Sequence, residues 1–372
     1  MSMGWKDTQN FHFGRPRKPP PPPTPPPLYQ LGVEKVQNAY PQVALLGKPP
    51  FQIQSVNWEQ GLGDDHNDGV DPKAGGLDGL RLVNKRHQVE NVLSTLMYLL
   101  SRFPKANPSL VEFCASSGYC ALPFSRLYPA STVTILDAKV SSVEIAWRRM
   151  KSISCPNNVQ AMVCRTEDYH GTFDIGVALH ACGEATDAVL DKCLANRAAF
   201  LVVPCCVGRI GRFALGYADK ELALPPVRGN CVVWDENVDM FQARTVETRW
   251  KADVTKTRLS KSDGRPRPRS RKVEDALGGE GTASKSFAAL AKAADASQWS
   301  HEELEEHPQS LSENQEESMC RKTAKRIVDF DRLEFAKEHG YITLSFTMVP
   351  ASCTPKNEVL FGYPKEWDAE RQ

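Results

Sequence analysis

The sequence predicts an α/β protein, a mostly parallel, doubly wound sheet that finishes in an antiparallel hairpin strand. Three observations predict it. Between residues 80 and 210, apolar strand-like runs alternate with helix-like segments five times, the signature of successive βαβ units. Two apolar runs close the chain at 341–350 and 357–364, with too short a link for a helical crossover, so they pair antiparallel. The 372 residues, 41% apolar and 24% charged, suffice for one such core with long additions.

Residues 1–79 precede that core. "RPRKPPPPPTPPPL" (15–28) predicts a polyproline II rod, read as a semi-rigid linker, with proline-motif-binding proteins as possible partners. The Gly/Asp-rich 59–79 stretch carries Asp64, Asp65, Asp68 and Asp71 at calcium-loop-like spacing but lacks the glutamate of an EF-hand. A flexible, disordered linker is the expectation. The core is expected over 80–210. A helix at 81–103 carries Val89, Val92, Leu93, Leu96, Leu99 and Leu100 on one stripe. Strands follow at 109–115, 131–138, 157–165, 172–182 and 198–206, separated by helices within 120–128, 140–153 and 184–197, with the third and fourth strands joined by a loop. Residues 211–318 read as a largely irregular insertion, basic over 248–272 and acidic over 300–318, with too little apolar area to order itself. Residues 319–364 return to the core with a helix at 320–340, ended at Gly340, and the hairpin; 365–372 form a tail.

The net charge of +1 provides no global field for nucleic acid, so any electrostatic recognition must be local. The longest apolar runs, such as 198–203, are far short of a membrane span. Eleven cysteines form no CxxC pair, and most lie in apolar runs. A reducing, cytoplasmic setting is expected, and the mildly basic, acid-poor start leaves organelle targeting open.

The terminal hairpin resembles class I S-adenosylmethionine-dependent methyltransferases, a Rossmann-like fold whose sheet ends that way. "FDIGVALHACGEATD", "VVPCC", "SCTPKN", "RLVNKRHQVENV" and "AKRIVDFDR" resemble more narrowly the methyltransferase-like domain of the glutathione S-transferase C-terminal domain-containing protein family, over roughly 81–210 and 319–363. No glutathione transferase module is evident. The resemblance implies S-adenosylmethionine as cofactor and a loop after the first strand, "VEFCASSGYC" (111–120), that carries it. Glu112 would hold the cofactor's amino group; Cys114, Ser116 and Gly118 would form the loop. Serines stand where related sequences cluster glycine, and a Cβ in a left-handed conformation costs about 1–2 kcal/mol. The plainer reading of the loop is a strand end with an ordinary turn.

Asp137, ending the second strand, has the place of an acid that accepts both ribose hydroxyls, although a helix N-cap would use the same residue. Glu167 and Asp168 follow the third strand, where methyltransferases recognise the adenine amine; solvated loop acids are the alternative. His180 follows the fourth strand, at the ligand-binding edge of open α/β sheets, and is either a general base or a structural histidine. Cys205 resembles the thiolate nucleophile of 5-methylcytosine RNA methyltransferases; the plainer reading makes Cys205 and Cys206 small residues of a buried strand. His180, Cys182, Cys205 and Cys206 match no standard zinc spacing, so no metal is assigned. Asn357 begins the last strand near the acceptor side of such folds, and Lys85, Arg86 and Gln88 on the entry helix are candidates to meet a phosphate or the cofactor edge; for all four a solvated or capping role is the more common outcome. The expected function is an S-adenosylmethionine-dependent methyltransferase with RNA as acceptor, gripped through the basic insertion. The alternative is an inactive methyltransferase-fold binding or scaffold protein. A dehydrogenase is opposed by the hairpin and the missing GxGxxG.

Overall fold

The strands between residues 109 and 203 bury side chains on both faces, so the sheet they build must be covered twice. The computed structural model describes residues 26–44, 46–60, 69–153, 158–207, 210, 230–235, 240–245, 265–295 and 313–369. In chain order its elements are α1 (Leu28–Ala39), α2 (Gly79–Leu100), β1 (Ser109–Phe113), α3 (Ala121–Leu127), β2 (Thr132–Asp137), α4 (Val140–Ser152), β3 (Val159–Val163), β4 (Ile175–Leu179) and α5 (Glu184–Asn196). There follow β5 (Ala199–Val203), β6 (Asn230–Asp235), β7 (Met240–Thr245), α6 (Arg271–Ala276), α7 (Ala283–Ala294), α8 (Glu313–Glu338), β8 (Tyr341–Thr347), β9 (Glu358–Pro364) and α9 (Glu366–Ala369).

Among the described residues the sheet has nine strands in the order β7-β6-β3-β2-β1-β4-β5-β9-β8. Strands β1 to β5 pair parallel. The expected hairpin is present: β9 runs antiparallel to both β5 and β8 and lies between them. The chain crosses from one half of the sheet to the other between β1 and β4, and there the carboxyl ends of the strands open a crevice.

Period-2 alternation divides the strands between two cores. Leu110, Ile135, Val177 and Leu201 pack under Val92, Leu96 and Leu99 of α2, Leu122 and Phe124 of α3, and Val143 of α4. Val111, Ala178, Phe200 and Val202 face the other way, against Val189 and Leu190 of α5 and Leu333 and Ala336 of α8. A third cluster joins α1 (Val33, Val36), α6 (Val273), α7 (Phe287, Leu290) and α8 (Ile327, Val328).

Two expectations are corrected here. The stretch 211–318 is not irregular throughout: it holds β6 and β7, which extend the sheet antiparallel from β3, as well as α6, α7 and the start of α8. In α7, Phe287, Leu290, Ala291 and Ala294 recur at helical spacing and are buried, and full burial of a Phe or Leu stabilises by about 1.5–3 kcal/mol. The N-terminal 1–79 also contains order, in α1 and in the 3-10 turn Pro72–Gly75. Averaging composition over whole tracts hid these short amphipathic pieces. The proline run to residue 25, Asp64, Asp65, Asp68, the basic residues 248–264 and the acidic residues 300–312 lie outside the described residues.

Candidate functional site

The loop after β1 uses the left-handed region at alternate positions: Cys114 (φ 52°), Ser116 (φ 52°) and Gly118 (φ 75°). Only glycine adopts this conformation without strain. At Gly118 the requirement is also steric, since a Cβ would stand 2.8 Å from Ile135 Cδ1. The loop therefore keeps a glycine-type backbone while Cys114 and Ser116 carry side chains on it. Ser116 alone of residues 111–120 is exposed, so the loop's tip faces the crevice mouth.

Glu112 has another place than expected. Its side chain is buried beneath the loop, and its carboxylate accepts from the backbone N–H of Cys120 (3.1 and 3.2 Å) and Ala121 (2.7 Å). Burial pushes this carboxyl up to about 7, against those amides and the Arg149 guanidinium, which pull it down. Glu112 thus braces the start of α3 against β1.

Asp137 stands at the rim. Its Oδ2 accepts from the Ser116 N–H and its Oδ1 from the Lys139 N–H, both at 2.8 Å. A carboxylate offers about four acceptor positions, so the two bonds fix its orientation and leave capacity for two hydroxyls. The turn after β3 carries the exposed Glu167 and the half-buried Asp168 on the same strand edge. The Glu167 carbonyl accepts from Lys192 Nζ at 2.8 Å. Cys114 Sγ lies 3.8 Å from Thr166 Oγ1 and within electrostatic reach of Asp137, Glu167 and Cys182, while burial pushes its thiol up to about 12. The sequence-selected loop, Asp137 and the β3 turn are therefore brought together.

His180 also has a positive φ, 69°, and its ring Nε2 lies 2.9 Å from Gln88 Oε1 of α2. Gln88 donates its own amide N–H to the Cys353 carbonyl at 2.8 Å, which leaves Oε1 as an acceptor. Nε2 of His180 therefore carries the hydrogen, and Nδ1 is the acceptor. Burial and nearby Lys85 lower the imidazole to about 4, so it is neutral near pH 7. Lys85 lies within electrostatic reach of Glu112, Cys120, Cys205 and Cys353; burial lowers its amine, which stands 5.2 Å from the Tyr119 ring centroid. Arg86 instead pairs with Asp71. Asn357 is buried, its side-chain amide donating to Ala351 O, a structural role.

Beyond β4 and β5, the thiols of Cys182, Cys205 and Cys206 gather within 4.8 Å of one another. Cys205 Sγ lies 2.9 Å from Cys182 Sγ and 3.4 Å from His180 O. The Cys182 contact and burial hold the Cys205 thiol strongly protonated, which does not favour a resting thiolate nucleophile.

Two further groups position the site without having been singled out from the sequence. Arg149, almost fully buried, donates to the carbonyls of Gly69, Val70 and Asp71 and to Ser117 O at 2.7 Å, pinning the N-terminal strap to the loop. Arg332, fully buried on α8, pairs with Asp187 (3.0 Å) and Asp329 (2.9 Å) and donates to Gly183 O. Arg269 joins Asp187 and Asp191. "HACGEATD" and "AKRIVDFDR" meet here, but charges are common along both helices, so the sequence did not mark which of them are buried. Arg269 belongs to the basic tract but is spent inside the protein. A cleft of about 300 Å³ lined by Ser109, Thr132 and Asn158 opens at the opposite, amino edge of the sheet, away from these groups.

A family model described as a methyltransferase domain matches residues 84–212. The glutathione S-transferase C-terminal domain-containing protein of Mus musculus is 27% identical over 295 residues, 79% of this chain and 35% of that protein. The Xenopus laevis protein of the same name is 26% identical over 360 residues, 96% of this chain and 44% of that one. The chain thus spans less than half the length of these relatives. Among solved structures, an S-adenosylmethionine-dependent methyltransferase from Aquifex aeolicus overlaps 30% of this chain and 63% of its own, with 16% identity and a TM-score of 0.24.

Proposed function

Taking as premise a chain whose residues 84–212 match a methyltransferase domain, we propose that it transfers a methyl group from S-adenosylmethionine to an RNA acceptor. The observation that carries the cofactor part is the loop of Cys114, Ser116 and Gly118, whose left-handed backbone is bonded at Ser116 to Asp137. These residues fit the cofactor: the loop brings backbone close to its methionine part, Asp137 takes the ribose hydroxyls, and Glu167 or Asp168 the adenine amine. When bound, the cofactor supplies an electrophilic methyl group. The chain's own residues supply orientation, which in a displacement is the larger part of the catalysis. His180, neutral and with Nδ1 as acceptor, accepts a hydrogen bond from the acceptor group. Its low basicity suits positioning better than full proton removal.

RNA is the finer part of the proposal. It rests on the tract 248–272, where ten Lys and Arg oppose two Asp. Among the tract's last members, Arg269 and Lys272 are committed to Asp191 and Glu334, so those two are not counted among the phosphate contacts. If the proposal holds, RNA affinity drops steeply as salt rises.

The experiment is calorimetric titration with S-adenosylmethionine, with Asp137→Ala as control. Micromolar binding that weakens at least about tenfold, or 1.4 kcal/mol, in the variant is expected. No binding at millimolar cofactor would instead favour a binding module whose side-chain-bearing loop has lost the ligand.

A further inference from the structure

We propose that Cys182, Cys205 and Cys206 form a zinc site of three thiolates with one open coordination position. It lies between the ends of β4 and β5, at the carboxyl edge of the sheet.

The geometry begins with how two neighbouring cysteines come to share one side. In a continuing strand, successive side chains point to opposite faces. Strand β5 ends at Val203, and residues 204–207 take no regular structure, so Cys205 and Cys206 are both free to turn toward β4. Parallel pairing of β4 with β5 aligns Leu179 with Val203, which carries Cys182 to the same level. The two segments are also tied through the backbone, where the Gly183 N–H donates to Cys206 O and the His180 N–H donates to Val203 O. The result is three sulfurs within 4.8 Å of one another. Two thiolates on one tetrahedral zinc, each about 2.3 Å from the ion, stand about 3.8 Å apart, so the cluster closes on an ion by small side-chain rotations.

Charge supports the assignment. Three thiolates and one Zn²⁺ leave a net charge of −1. Lys85 lies within electrostatic reach of Cys205 and Lys356 within reach of Cys206, and burial disfavours the charged form of both amines. An anionic centre offsets that cost, whereas three neutral thiols do not. Metal entry is balanced as Zn²⁺ plus three thiols giving the tris-thiolate complex and three released protons, with no change of oxidation state. A water completes the tetrahedron, the arrangement of zinc sites that keep a position open. His180 is not a ligand, because neither of its ring nitrogens falls within the group of metal-competent atoms that the three thiols make. The sequence spacing concealed the site because 23 residues separate Cys182 from Cys205.

The test uses the full chain, purified under reducing conditions with zinc and then freed of loosely held ion. Elemental analysis should find about one zinc per chain, retained in Cys320→Ser and lost in Cys182→Ser and Cys205→Ser. Replacing zinc with Co²⁺ should give an intense sulfur-to-cobalt charge-transfer band in the unaltered protein. That second readout decides the matter if the site variants fail to fold. Absence of both zinc and the cobalt band overturns the proposal. So does a mass lower by two hydrogens from a Cys182–Cys205 disulfide in the reduced preparation, which would make the pair redox-active instead.

Discussion

Glu112, buried beneath the loop after β1, and His180, just past the end of β4, respond to acid in opposite senses. The Glu112 carboxyl is raised from its ordinary 4.5 to about 7, so the folded protein holds a proton there that the unfolded chain releases between those values. Stability from this group falls as pH rises from about 4.5 to 7. His180 is lowered from 6.5 to about 4, so the unfolded chain binds the extra proton, and stability from this group is lost as pH falls through the same region. Each shift corresponds to about 3 kcal/mol at its limit, and in the native protein the two largely cancel. In Glu112→Gln, urea-unfolding free energy should rise more steeply with pH between 4.5 and 7 than in the unaltered chain. In His180→Gln it should rise less steeply or fall. Variants that both parallel the unaltered protein would show that neither group titrates as described. At this scale the sequence revealed which residues stand at the strand ends but not what each does. Glu112 could be placed at the end of β1; its turn inward to the α3 amides depends on the loop geometry. The protonated nitrogen of His180 depends on Gln88, 92 residues away.

At the scale of elements, α5 and α8 are joined by buried charge rather than apolar packing alone. Arg332 is fully buried between Asp187 and Asp329, and Arg269 shares Asp187 with it. Removing one partner of such a network leaves uncompensated charge in the interior. Arg332→Leu should therefore lower unfolding free energy by about 3–5 kcal/mol in urea titration, while the exposed pair Arg197–Glu366 should contribute under about 1 kcal/mol. Helix α7 makes a second case. Phe287→Ala should cost about 3–5 kcal/mol and release α1, which limited proteolysis near residues 28–39 would report. Strands β1 to β5 were legible because each is a short apolar run bounded by turns. Helix α7 was not, because its four apolar positions lie between polar tracts whose average composition dominated. Its partners on α1 and α8 lie far away in sequence.

For the whole molecule, the crevice, the thiol cluster and the α5–α8 junction lie along one sheet edge, and pieces from distant parts of the chain complete it. Gln88 of α2 reaches His180 and Cys353, and Asn91 bonds the backbone of Val349 in both directions, at 2.7 and 2.9 Å. The fold class was readable because alternation and a short final link are local facts. The nine-strand width was not, since β6 and β7 add to β3 from within the insertion. Among the described residues no helix is long and apolar enough to cross a membrane.

The position of β9 has a consequence in time. Because it fills the space between β5 and β8, β5 has no neighbour on that side until residues 358–364 have been synthesised. A ribosome-bound chain ending earlier exposes the N–H and C=O groups of Ala199–Val203, an apolar strand of the kind that pairs with other chains. Maturation of this protein is therefore a wait with a vulnerable seam open, closed by the arrival of β9. Slower translation between residues 204 and 357 would lengthen the exposure and raise the demand for chaperones.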